Sequence, residues 1–126
     1  MRIEGSLLEE LTQQATEAYP LECCGLLWAI GEGPILDFTP YPGPLYTKRF
    51  EMRDEWLLQQ HYLGRRRGRV VKGYYHSHCD SELLPSRRDI VGHPNGSLCL
   101  IVTPMGEARA FKLERAEFQE QAIETL

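Results

Sequence analysis

The chain has 126 residues and a formal net charge of −4, with 42% hydrophobic and 25% charged residues. These values are typical of one globular domain over residues 1–126 and disfavour a disordered chain or a nucleic-acid binder held by electrostatics. No apolar run approaches the roughly 20 residues that cross a bilayer, and the acidic N-terminal stretch is unlike a secretory signal. We therefore expect a cytoplasmic protein with no nucleic-acid or membrane partner.

In chain order the sequence predicts helix, strand, strand, helix, strand, short helix, strand and strand, over residues 6–19, 22–30, 35–41, 53–68, 69–78, 86–93, 97–102 and 108–114. Ser6 and Glu9 form a candidate capping box for the first helix. The buried side of the second helix is expected to carry Trp56, Leu57, Tyr62 and Leu63. Residues 116–126 fit a helix or a strand. The predicted fold class is mixed α/β.

Two of the four histidines lie two residues apart in the stretch "HSHCDSELLPSRRD". On a strand, residues two apart point to the same side, so His76 and His78 can bind one ion while Ser77 faces away. Ser86 and Asp89 are three apart on the following helix and share one face. Two histidines and a carboxylate are the ligands of many catalytic zinc sites, which keep a fourth position for water.

Such a site also needs a general base and a donor for the developing oxyanion. Ser86 is placed to be the donor, although the simpler interpretation is that it is only an N-cap. Glu22 is the one acidic residue within an otherwise apolar predicted strand, and it is our candidate base. The simpler interpretation of the histidines is a hydrogen-bonded pair, but their spacing relative to Ser86 and Asp89 favours a metal site.

The segment "PLECCGLL" followed by H-x-H-x7-S-x2-D resembles the JAMM/MPN+ zinc metalloproteases, and most closely the small stand-alone prokaryotic type. The resemblance spans nearly the whole chain. It implies a curved mixed β-sheet flanked by helices, related to the cytidine deaminases. His76, His78 and Asp89 would then bind one zinc ion (Zn2+) per chain. Glu22 would be the general base, and Ser86 would stabilise the tetrahedral intermediate.

Members of that family hydrolyse the bond after the C-terminal glycines of ubiquitin-like proteins. The resemblance therefore implies a zinc metallopeptidase or isopeptidase, monomeric or homodimeric, whose partner is a ubiquitin-like or ThiS/MoaD-type sulfur-carrier protein. A non-catalytic binding scaffold of the same fold and a phage-tail-type peptidase remain alternatives. A zinc deaminase is disfavoured because its H-x-E and P-C-x-x-C motifs are missing from the sequence. The family usually has proline where this chain has Cys79, which we expect not to be a ligand.

Overall fold

The computed structural model describes residues 1–80, 82–91, 93–94 and 96–126. The helices are α1 (Gly5–Ala18), α2 (Asp54–Arg66) and α3 (Arg87–Val91). The strands are β1 (Arg2–Ile3), β2 (Cys24–Ala29), β3 (Ile35–Pro40), β4 (Val70–Ser77), β5 (Leu98–Val102), β6 (Ala108–Glu114), β7 (Glu117–Gln121) and β8 (Glu124–Thr125). Within the described ranges, no helix is long and apolar enough to cross a bilayer.

Each helix and strand predicted before residue 116 has a counterpart in the structure, although residue 92 of the predicted short helix lies outside the described residues. The open choice for residues 116–126 is settled, because β7 and β8 are strands. The capping box is wrong, since α1 begins at Gly5 and its N-cap is Glu4. Ser6 therefore lies inside the first turn.

The described strands form one mixed sheet in the order β7-β6-β5-β4-β2-β3-β1-β8. Strand β4 runs parallel to β5, and β1 runs parallel to both β3 and β8, whereas the other pairs are antiparallel. The register of β2 shifts within Leu27–Ala29 against both of its neighbours, and such irregularities increase local twist. The predicted mixed α/β class is confirmed.

Alternate residues of the central strands build a core on each face of the sheet. On one face, Leu7, Leu11 and Ala15 of α1 are buried against a cluster that includes Leu27 and Tyr75. Their i, i+4, i+8 spacing keeps them on one side of the helix. Burial of this stripe holds α1 against the sheet by the hydrophobic effect.

On the opposite face, Trp56 and Leu57 of α2 pack half-buried on a cluster that contains Trp28. The helix comes closest at Gly64, where an added Cβ would overlap the ring of Trp28. The predicted burial of Tyr62 and Leu63 of α2 is wrong, because these residues are 61% and 41% exposed. The glycine lets the backbone contact the sheet, and this orientation turns both side chains towards solvent.

Candidate metal centre

The end of the central strand β4 delivers the two histidines. His76 pairs with Cys24 of β2 on one side and with Ile101 of β5 on the other, and it is fully buried. His78 follows the end of the strand, and its N–H donates to the carbonyl of Val102 at 2.9 Å. The Nε2 atoms of the two histidine rings lie 3.0 Å apart. Both rings therefore point to one place, as their spacing of two requires.

Helix α3 brings a carboxylate to the same place. Asp89 is 2% exposed, and its Oδ2 lies 3.3 Å from Nε2 of His76 and 3.5 Å from Nε2 of His78. The same oxygen accepts the main-chain N–H of Ser86 at 2.7 Å. Ser86 directly precedes α3, so this contact is the reciprocal half of a capping box and fixes the carboxylate.

Glu22 reaches the site from the segment before β2. A carboxylate oxygen of Glu22 and one ring nitrogen each of His76 and His78 lie within 4.8 Å of one another. The N–H of Glu22 donates to the carbonyl of Tyr46 at 2.7 Å, which fixes the backbone at this point. Only 7% of Glu22 is exposed. Its carboxylate is thus held beside the histidines in a mostly dry environment.

Ser77 connects the segment that contains Glu22 to β4, the strand that contains His76. It faces away from the histidines, and its buried Oγ accepts the N–H of Cys23 at 2.8 Å. In return, its own N–H donates to the carbonyl of Cys23 at 2.9 Å. These two bonds extend the β2–β4 pairing by one residue and set the position of Glu22 relative to His76.

Substituting Ser77 with alanine is expected to lower the free energy of unfolding by about 1–3 kcal/mol, because the N–H of Cys23 is left buried without a partner. Urea denaturation measures this loss. Ser97→Ala is the matched control, since that half-buried hydroxyl donates to the carbonyl of Pro94 near the surface. A loss at Ser77 no larger than the loss at Ser97 would contradict the structural role.

The site opens into a cleft of ≈630 Å³. Glu22, His78 and Asp89 form its floor, together with the exposed Ser86 on one wall. The remaining lining residues are Tyr19, Pro20, Thr47, Lys48, Cys79, Asp80, Glu82 and Leu84. The structure thus brings all five predicted site residues to one place, with His76 behind the cleft floor.

The family model that describes prokaryotic homologs of the JAB domain matches residues 4–114 of the chain. The chain belongs to this prokaryotic JAB-domain family. No curated protein matches it.

Solved structures share the fold of this JAB-domain protein. A protein of Desulfitobacterium hafniense is 23% identical, with a TM-score of 0.82 over 99% of this chain and 92% of that one. A JAB1/MPN domain protein of Archaeoglobus fulgidus is 20% identical, with a TM-score of 0.68 over 100% and 97% of the two chains. A structure described as "JAMM: A Metalloprotease-like Zinc Site in the Proteasome and Signalosome" is 20% identical, with a TM-score of 0.61 over 100% and 97%. The expected resemblance and the curved mixed sheet are confirmed.

The donor atoms of this JAB-domain protein fit a zinc ion. Ligand atoms placed tetrahedrally at about 2.0–2.1 Å from zinc lie about 3.3 Å from one another. The separations among Nε2 of His76, Nε2 of His78 and Oδ2 of Asp89 are 3.0, 3.3 and 3.5 Å. Imidazole nitrogens and a carboxylate are also ligands that zinc accepts. The arrangement can therefore hold a metal ion with its open side towards the cleft.

The ionisation of His76 and Asp89 favours metal binding, whereas that of His78 opposes it. Burial lowers the pKa of His76 and outweighs the opposing effect of Asp89. Burial also lowers the pKa of His78, but hydrogen bonds to Asp89 and to the carbonyl of Glu82 outweigh it and leave the pKa raised. Burial raises the pKa of Asp89, yet its contacts with the two histidines hold the pKa well below its usual range. Asp89 is consequently an anion at neutral pH, as a carboxyl group that binds a metal must be.

The carboxyl of Glu22 behaves differently from that of Asp89. Burial raises its pKa to about 7, and the charge of His78 opposes that rise while Asp89 and Asp80 add to it. A general base is most effective when its pKa lies near the working pH. Two carboxyl groups in one site thus have pKa values pushed apart, which is the pattern of groups with different roles.

Cys79 lies beside the site as a thiol. Its Sγ donates to the carbonyls of Pro20 and Leu21 at 3.3 and 3.4 Å. Burial raises its pKa, and nearby carboxylates raise it further, so the thiolate that would bind zinc is disfavoured. These contacts agree with the expectation that Cys79 is not a ligand.

His93 was not among the predicted site residues. This residue is 5% exposed, and its Nδ1 lies 2.8 Å from the carbonyl oxygen of Asp89. The only sequence signal is its spacing, because residues four apart on a helix share a face. The remaining histidine, His61, lies exposed on α2.

Proposed function

We propose that this JAB-domain protein is a zinc-dependent metallopeptidase that hydrolyses the bond after the C-terminal Gly-Gly of a ubiquitin-like or sulfur-carrier protein. Residues 1–126 would form one catalytic domain. The observation that carries it is the triangle of ligand atoms from His76, His78 and Asp89, with the buried carboxylate of Glu22 beside it. Burial of the carboxyl of Glu22 costs free energy, which favours a catalytic role over a binding scaffold.

His76, His78 and Asp89 would hold the zinc ion. The bound ion supplies Lewis-acid chemistry, since it lowers the pKa of a coordinated water towards ~7 and polarises a carbonyl oxygen. Glu22 takes the proton from the attacking water and then delivers it to the amine that leaves. The carboxylate is suited to this transfer by its place, because it is buried beside the two histidines that would hold the ion.

Ser86 would have two separate tasks. Its main-chain N–H already donates to Asp89 and so holds that carboxylate in place. Its hydroxyl is part of an exposed residue in the cleft wall, and we assign to it the hydrogen bond that stabilises the tetrahedral oxyanion.

The shape of the cleft favours a polypeptide over a small molecule. The cleft of ≈630 Å³ shares Tyr19, Cys79 and Asp80 with a second groove of ≈470 Å³, whose lining also includes Pro104 and Met105. An extended chain can follow such a continuous path, and glycines can approach the cleft floor closely because they lack side chains. These features support a Gly-Gly tail as the substrate segment.

The test combines metal content with cleavage. Purified protein is analysed for zinc and assayed with a carrier protein that bears a short extension after Gly-Gly, alongside His76→Ala. We expect one zinc per chain in the wild type and cleavage after the second glycine. The variant should lose both zinc and cleavage. Zinc bound without cleavage of any carrier tried would instead favour the binding scaffold, and a chain without zinc would overturn the proposal.

A further inference from the structure

His93 occupies a closed aromatic pocket behind the candidate metal centre. Its ring meets those of Phe50, Tyr74 and Phe118 edge to face, with centroid distances of 5.3, 5.6 and 5.6 Å. Phe50 also stacks on the ring of His76 at 4.4 Å. An imidazole nitrogen without a partner is costly in such apolar surroundings. We therefore expect the ring nitrogens of His93 to have specific hydrogen-bond partners.

The hydrogen bond of His93 fixes which of its nitrogens carries the proton. Its Nδ1 faces the carbonyl oxygen of Asp89, which can only accept, so Nδ1 is the protonated nitrogen. In a neutral imidazole with its proton on Nδ1, Nε2 carries the lone pair. That atom is buried and has no hydrogen-bond partner among the described residues.

His76 has an unpaired donor that complements the unpaired acceptor of His93. Its Nε2 faces His78 and Asp89, and a ring that binds zinc through Nε2 carries its proton on Nδ1. Nδ1 of His76 is the other buried side-chain atom without a partner in the described part of the chain. A ring nitrogen of His76, a ring nitrogen of His93 and Sγ of Cys99 lie within 4.8 Å of one another. A donor and an acceptor, both otherwise unpaired, thus share one small pocket.

We propose that His93 is a positioning residue for the metal ligand His76. Its Nε2 accepts the Nδ1–H of His76, directly or through one trapped water, and so fixes the tautomer and orientation in which Nε2 of His76 faces the zinc. The inference rests on the zinc site of the proposed function. Ligating histidines generally donate their second N–H to such an acceptor.

Two hydrogen bonds connect His93 to the metal site. His93 donates to the main-chain carbonyl of Asp89 and accepts from His76, so one ring links two of the three ligands. Cys99 is the other polar neighbour, but cysteine sulfur accepts hydrogen bonds only weakly. Histidine is therefore the better acceptor in this pocket.

The test measures zinc affinity by competition with a chromophoric chelator. His93→Phe keeps an aromatic ring but removes the acceptor, and we expect zinc to bind about 10–100-fold more weakly. His93→Gln retains an amide oxygen that can accept, and it should regain part of the affinity. His61→Phe is the matched control on the surface of α2 and should bind zinc as the wild type does.

Two further readouts separate positioning from a structural role. Nitrogen-15 NMR of the zinc-bound wild type should show the ring of His76 protonated at Nδ1. The metal-free His93→Phe variant should still unfold cooperatively, at a somewhat lower temperature than the wild type, because the carbonyl of Asp89 loses its donor. Zinc affinity within threefold of wild type in His93→Phe would overturn the inference while leaving the proposed function standing. Two zinc ions per wild-type chain, falling to one in His93→Phe, would also overturn it, because the pocket would then be a second metal site. A wild type that binds no zinc would overturn both.

Discussion

The Glu22→Gln variant is expected to keep its zinc and lose turnover by about 10²–10⁴-fold, the usual contribution of a general base. Glutamine has nearly the same shape as glutamate but cannot take a proton from water. Glu22 is 7% exposed, and its surroundings raise its pKa to about 7, so the carboxyl is suited to proton transfer. Elemental analysis gives the zinc content, and a cleavage assay under saturating substrate gives kcat.

The matched control is Asp80→Asn, which neutralises another carboxylate of the same cleft. Asp80 is exposed, and its Oδ1 accepts the N–H of Glu82, a bond that asparagine can also accept. We expect turnover within a few-fold of the wild type for this control. Equal losses in the two variants would mean that the charge of the cleft, and not a proton carrier at Glu22, sets the rate. Loss of zinc from Glu22→Gln would make Glu22 a ligand instead of a base.

The metal-binding half of the site could be predicted from local sequence because its geometry is local. His76 and His78 share a face through the period of a strand, and Ser86 and Asp89 share a face through the period of a helix. Glu22 could not be placed this way. Its distance from the histidines depends on the antiparallel register of β2 and β4, in which Cys24 pairs with His76. The resemblance to a known family supplied that information.

His93 was missed for a related reason. Its i, i+4 relation to Asp89 is visible in the sequence, but it would also suit a surface histidine. Its burial comes from Phe50, Tyr74 and Phe118, which lie on three separate segments of the chain. Contacts between distant segments are not encoded in a local pattern, and therefore periodicity alone cannot identify this pocket.

The orientation of α2 illustrates the same limit within the fold. A helix with several apolar residues predicts a buried face, and Tyr62 and Leu63 were assigned to it. In the structure, the close contact between Gly64 and Trp28 sets the rotation of the helix, and this rotation leaves both side chains exposed. Residues 116–126 remained ambiguous because short strands carry little local signal, and β8 depends on its pairing with β1.

The Asp89→Asn variant is expected to bind zinc about 10²–10³-fold more weakly than the wild type. Structural zinc sites with four ligands provide about 10–16 kcal/mol, or roughly 2.5–4 kcal/mol for each ligand. Asparagine keeps the size of aspartate but lacks the charge that neutralises the cation. Competition with a chelator measures the affinity directly. Asp37→Asn is a matched control. The carboxylate of Asp37 pairs with Arg69 at 2.6 Å, and Asp37 is distant in sequence from all three metal ligands.

The same variant should change how stability depends on pH in the metal-free protein. The pKa of Asp89 is depressed in the folded state, so its contribution to stability is present above the unfolded pKa of about 3.9 and is lost as the pH falls through the folded value. The wild type should therefore be the more stable protein at pH 7, and the difference should shrink progressively below about pH 4. Urea denaturation at several pH values measures this. A difference that stayed constant with pH would show that Asp89 acts through packing alone.

Zinc then separates the role of Asp89 in the fold from its role in binding. At about 1,000 times the wild-type Kd, zinc should add about 4 kcal/mol to the free energy of unfolding of the wild type. At the same zinc concentration, a variant that binds 10²–10³-fold more weakly should gain only about 0.4–1.4 kcal/mol. Equal stabilisation of both proteins would exclude Asp89 as a ligand, even if the variant were less stable without metal. A carboxylate that stabilises the metal-free fold and also strengthens zinc binding would explain why one oxygen contacts both histidines and Ser86.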